Sequence, residues 1–107
     1  MFKRSDDYGY RPLIDGISMN ALCHGDKTLM VKFNLKKGHT LPDHAHPYEQ
    51  TGYMIKGHMA MRIGDEIYDI MPGDSWCIPS DVEHGAKIIE DSIVIEVFSP
   101  PRKDYMP

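Results

Sequence analysis

A chain of 107 residues, 41% hydrophobic and 26% charged, has room for one hydrophobic core and no second. A formal net charge of −4 with no run of Lys or Arg argues against a nucleic-acid partner. Met1-Phe2-Lys3-Arg4-Ser5-Asp6-Asp7 is too polar for a signal peptide, and no apolar run approaches membrane-spanning length, so no membrane partner is expected.

The two cysteines, Cys23 and Cys77, have no CxxC spacing, and a reducing cytoplasm is the expected compartment. Residues 1–27 are weakly patterned: Tyr8-Gly9-Tyr10-Arg11-Pro12 reads as an irregular lead-in, and residues 14–22 hold one or two short strands. After the turn signal Gly25-Asp26, residues 28–35 alternate, with Leu29, Val31, Phe33 and Leu35 on one face and Lys32 and Asn34 opposite, the pattern of a half-buried strand. Lys36-Lys37-Gly38 turns the chain. Residues 50–55 form a strand ending at Lys56-Gly57, and residues 58–63 form another with Met59, Met61 and Ile63 on one face. Gly64-Asp65 is a hairpin signal into 67–71. Pro72-Gly73-Asp74 turns into a short strand at 75–78, stopped by Pro79. Residues 80–83 are a loop, 84–89 a strand, Glu90-Asp91 a turn, and 93–98 a strongly β-branched strand stopped by Ser99-Pro100-Pro101.

No segment carries a helical period of useful length. Many short strands with Gly/Pro turns mean an all-β sandwich or barrel. The organisation expected is a single domain: an N-terminal extension with the first strands (1–27), a barrel core (28–99) and a C-terminal tail (100–107). The eight methionines either fill that core or soften the wall of a ligand cavity.

The chemistry begins at Gly38-His39-Thr40-Leu41-Pro42-Asp43-His44-Ala45-His46-Pro47-Tyr48-Glu49-Gln50. His44, His46 and Gln50 share one parity, so an extended chain aims them at one face. His84, after a Pro-and-acid loop, is the candidate fourth member. Two or three imidazoles with an amide oxygen are a ligand set for one divalent transition ion: imidazole suits Zn, Cu, Fe and Ni, and an amide oxygen is harder and weaker. Such a set adds no negative charge, so the ion keeps its full +2. The competing reading makes His44 and His46 solvent-facing loop residues, or the barrel one that has lost its metal. Glu49 has the opposite parity from Gln50 and should point outward, and His24, His39 and His58 read as surface or rim residues. Near the C-terminus, Glu96 stands mid-strand between Ile95 and Val97, where burial costs several kcal/mol unless the carboxylate is paired or serves a site. If Glu96 faces inward, so does Phe98, and Arg102 can reach a substrate carboxylate bidentately. The alternative turns Glu96 outward into a dimer or sheet contact.

Gly38-x5-His44-x-His46-x3-Gln50-x6-Gly57 resembles the first motif of the cupins, with Gln where many members carry Glu, and Gly73-x5-Pro79-x4-His84 resembles the second, with Asp81 where Gly is usual and Ile88 where Asn is common. The resemblance covers about residues 29–99 and implies an all-β jelly-roll barrel (a double-stranded β-helix) with a metal at its mouth. Within the cupins the chain looks like the pectin-degradation (KdgF-type) subgroup, through its HxHx3Q motif, its GDS-to-P-to-HG motif and the closing segment Val97-Phe98-Ser99-Pro100-Pro101-Arg102-Lys103-Asp104-Tyr105-Met106.

That likeness implies metal ligands His44, His46, Gln50 and His84 for Zn, Ni, Fe or Mn, a catalytic carboxylate at Glu96, and substrate contacts from Phe98 and Arg102. It also implies a sugar-acid substrate, a 4,5-unsaturated uronate, which the protein would linearise. The subgroup has Asp where this chain has Glu96, and the extra methylene moves the carboxylate by about an ångström when proton transfer needs a reach of about 2.6–3.2 Å. Other readings are a different metal-dependent cupin enzyme, a dioxygenase or isomerase, and a non-enzymatic small-molecule-binding cupin. A homodimer is expected, with sheets pairing face to face or the N-terminal segment adding a strand to a neighbour's edge.

Overall fold

The computed structural model describes residues 2–5 and 9–107; Met1, Asp6, Asp7 and Tyr8, parts of the polar N-terminus and of the expected lead-in, lie outside them. Eight strands follow: β1 (Arg11–Ile14), β2 (Ile17–His24), β3 (Leu29–Leu35), β4 (Thr40–His44), β5 (Glu49–Ile63), β6 (Glu66–Ile70), β7 (Ser75–Ile78) and β8 (His84–Ser99). A single 3-10 turn, Lys103–Tyr105, is the helical element among the described residues, and none of these has a helix long and apolar enough to cross a membrane. All pairings are antiparallel.

The spine is the pairing of β5 with β8, which runs from Glu49↔Ser99 to Ile63↔His84. Around it the order is β1-β2-β3-β8-β5-β6, with β7 on the first half of β5 and β4 on the first half of β8. The two long strands therefore each pair with more than one neighbour along their length, and the single eight-stranded sheet branches at them. The hydrogen-bonded path does not close into a ring.

Two expected breaks turn out to be bends. Lys56-Gly57 does not end a strand but lies in β5, and Glu90-Asp91 does not turn the chain but lies in β8. The register of β5 on β8 slips around Lys56 and His58, so turn-forming residues here mark bulges that bend a continuous strand. Gly57 has φ of 113°, and a Cβ on it would fall 2.1 Å from Ser92 Oγ. No other residue fits that crossing.

The core follows the expected alternation. Leu29, Val31, Phe33 and Leu35 are all buried, as are Ile17 and Met19 of β2 and Val94 and Phe98 of β8. Met59 and Met61 are buried too, with Ile63 packed against the same cluster. The tail returns to the open end of the barrel. Tyr105 sets its ring edge-on to Phe33 and Phe98, at centroid distances of 6.0 and 5.5 Å. Arg11 Nη2 donates to the carbonyl oxygen of Asp104 at 2.9 Å and holds the tail to β1.

Candidate metal centre

His44 ends β4 and His84 begins β8, and the two pair directly across the ladder. His46 is not in a strand; it lies in the connection to β5, and Gln50 is the second residue of β5. The common side of His44, His46 and Gln50 therefore comes from a strand end, a loop and a new strand, not from one extended run as their parity suggests. The convergence is real: one ring nitrogen from each of His44, His46 and His84 lies within 4.8 Å of the others, a spacing that can hold a metal ion.

The ring orientations are set locally. His44 Nδ1 is 2.8 Å from the Pro42 carbonyl, His46 Nδ1 is 3.1 Å from that of Tyr48, and His84 Nδ1 is 2.9 Å from that of Val82. A carbonyl only accepts, so each Nδ1 carries the proton and each Nε2 keeps its lone pair, as a metal ligand requires. Burial pushes the His84 imidazole down to about 4, with the nearby His44, His46 and Arg102 acting in the same direction. Burial, then Arg102 and His44, also holds His46 below its ordinary value. Both rings are neutral at pH 7, the ligating form.

Gln50 supplies the strongest sign that the cluster fits an ion. His46 Nε2 and Gln50 Oε1 are buried without a hydrogen-bond partner among the described residues. Buried polar atoms are rarely left so, and a cation bound by both would satisfy them. The other end of the amide is occupied, because Gln50 Nε2 donates to Glu96 Oε2 at 2.8 Å.

Glu96 faces inward and is 7% exposed, beside Phe98 at 1%. Its second oxygen, Oε1, accepts from Trp76 Nε1 at 3.0 Å. Burial raises its carboxyl to about 7, although the Trp76 and Gln50 hydrogen bonds and the positive Arg102 all favour the ion. Arg102 lies over the Tyr105 ring at 3.9 Å and within 5.7 Å of the Tyr48 and Phe98 rings, while its Nε donates to Asp104 Oδ1 at 3.2 Å. One cavity is lined by His44, Gln50, His84, Glu96, Phe98 and Arg102. Its inner wall is apolar, from Leu35, Met59, Met61 and Val94.

The remaining histidines stay outside the cluster: His39 is exposed, His24 is half-buried, and His58 pairs with Asp69 on the surface. Glu49 is exposed, with Cys77 Sγ near its carboxylate. Sequence reasoning gave no role to Trp76, Gly52, Tyr48 or Tyr105. The signal for Trp76 was its being the only tryptophan in the chain; that it reaches Glu96 depends on register, which spacing alone does not fix.

A cupin-domain family model matches residues 31–99, and the chain belongs to the cupin family. It is 28% identical over 103 residues to the pectin degradation protein KdgF of Dickeya dadantii, covering 94% of each chain. Among solved structures it is similar to KdgF from a Halomonas species (TM-score 0.92, 28% identity, 99% of this chain and 98% of that one). It is equally similar to an RmlC-like cupin from Shewanella frigidimarina (TM-score 0.92, 28% identity, 98% and 95%).

Proposed function

We propose that this cupin is a metal-dependent enzyme that linearises a 4,5-unsaturated uronate of the kind released in pectin or alginate breakdown. The observation that carries the reading is a buried carboxylate, Glu96, and a cation, Arg102, lining the same cavity as the histidine cluster. The similarity to KdgF over nearly the whole chain supports it.

A divalent ion held by His44, His46, Gln50 and His84 would supply Lewis-acid polarisation and a template for substrate oxygens. Arg102 binds the uronate carboxylate, a planar anion that suits its fork of donors. Phe98 and the tyrosines around Arg102 wall the sugar and exclude water. Glu96 moves protons. Glu96 takes the proton of the anomeric hydroxyl and returns it to the ring oxygen as the bond from C1 to that oxygen breaks, leaving a C1 aldehyde and a C5 enol. The enol O–H is then lost as C4 gains a proton, giving the C5 ketone. The change is an isomerisation and needs no oxidant. A carboxyl that titrates near 7 is matched to both halves, since acid and base forms coexist at the working pH.

The test is to follow loss of the enol-ether absorbance when metal-loaded protein meets unsaturated uronate. Acceleration is expected, and a rate equal to the spontaneous one at high protein concentration rejects the proposal. Strict dependence on Fe(II) with oxygen uptake would assign the site to dioxygenation instead.

A second copy is the partner we propose for the outer sheet face. Met30, Tyr53 and Ile55 are exposed there, and Met30 lies in register with Val97 and Tyr53 with Ile95. Sedimentation at the mass of a dimer is expected; a monomer at all concentrations contradicts it.

A further inference from the structure

The Glu96 carboxylate is held from two directions, by Gln50 and by Trp76. Trp76, Gly52 and Glu96 are neighbours across three strands, with Gly52 paired to Trp76 on one side and to Glu96 on the other. A Cβ on Gly52 would fall 2.2 Å from Trp76 Cε2 and 2.4 Å from its Nε1. The missing side chain is thus what lets the indole lie across β5 and reach Glu96 Oε1. In its ionised form, the one that prevails at pH 8, Glu96 has no proton to give and receives only the N–H side of the Gln50 amide. The amide oxygen is thereby turned the other way, where it is buried without a partner, as His46 Nε2 also is; the Gln50 side chain lies close enough to the His46 ring to act on its titration.

We propose that Trp76, seated over Gly52, is a positioning residue: it fixes Glu96, and Glu96 in turn fixes the Gln50 amide with its oxygen toward the histidine cluster. This deepens the metal-centre reading and rests on it. The order of action matters. Glu96→Gln is isosteric, but the new amide must turn its oxygen to the Trp76 N–H and its NH2 to Gln50. Two NH2 groups then face each other. Gln50 relieves this by flipping, which directs its own NH2 at the lone pair of His46 Nε2 and removes an oxygen ligand. With Trp76→Phe added, nothing demands the oxygen of residue 96, so that amide can turn back and Gln50 can recover its orientation. The second substitution should repair the first.

The experiment is a Co(II) titration at pH 8 of the parent, E96Q, W76F and the double variant, reading affinity and the visible absorption of the bound cobalt. E96Q is expected to bind cobalt about 10–100-fold more weakly, as when a supporting partner of a metal ligand is lost, with a changed spectrum. The double variant should regain much of both. The proposal is overturned if E96Q binds cobalt within about twofold of the parent, or if the double variant is no better than E96Q. Gly52→Ala reaches the same relay without touching a polar group and should weaken cobalt binding; parent-like affinity and spectrum there would also overturn it. None of these readouts involves a sugar, so they stand apart from the uronate assay.

Discussion

The two halves of the site are held by different means. Each of the three histidines is oriented by a backbone carbonyl two residues away in the chain. Glu96 is oriented by Gln50 and Trp76, 46 and 20 positions distant. The histidine rings are therefore aimed by short local segments, although β4–β8 pairing is what brings His44 to His84, whereas the acid end exists only once β5, β7 and β8 are in register. Changes at that crossing should disrupt the acid end directly and reach the histidine cluster only through Gln50.

The largest expected effect is at the local end. His84→Ala removes one of three clustered imidazoles and should cost at least about 100-fold in metal affinity, beyond the usual loss for a supporting partner, by equilibrium dialysis. Retained affinity would mean that the cluster is not the binding site. Glu96→Ala should slow uronate turnover by about 10²–10⁴, the usual range for a lost acid–base group, when measured with saturating metal. Arg102→Ala should raise KM by about 10–100-fold, as for a lost charged hydrogen bond of roughly 1.5–3 kcal/mol, with a smaller change in kcat. Gly52→Ala overpacks the Trp76 crossing and should lower stability by about 1–3 kcal/mol in urea unfolding.

The subtlest test is the pH dependence of metal-free stability, where the two ends have opposite signs. His84 titrates near 4 when folded against 6.5 as a free side chain, so the unfolded chain binds more protons between them and stability rises with pH across that window. Glu96 titrates near 7 when folded against 4.5, so there the folded state binds more protons and stability falls as pH rises. In the parent the two oppose each other. Glu96→Gln should expose the histidine contribution, giving a melting temperature that climbs more steeply from pH 4.5 to 6.5. An unchanged profile would mean that Glu96 does not carry its raised pKa.

What was legible in the sequence follows the same division. The alternation at Leu29, Val31, Phe33 and Leu35 is local, and it identifies β3 and its buried face. The spacing of His44 and His46, with His84 as the expected fourth member, reads out a cluster that the fold assembles. His44 and His46 do come together, but not along one extended strand as their parity suggests, because His46 sits in a loop whose backbone aims it. Gly57 reads as a strand end, since nothing local distinguishes a turn glycine from one that admits Ser92 at a bulge. Whether Glu96 faced the cavity or a neighbouring sheet was open, because a one-residue slip of β8 reverses it. Trp76 over Gly52 was invisible for the same reason: the pair is made by register.

The most direct test of the proposed chemistry is to run the reaction in D2O with metal-loaded protein and read C4 of the product by NMR. A carboxylate fixed on one side of the sugar delivers its proton to one face, so a single deuterium on one C4 position is the predicted result, lost in Glu96→Ala. Deuterium spread equally over both C4 positions, at the spontaneous rate, would contradict the account.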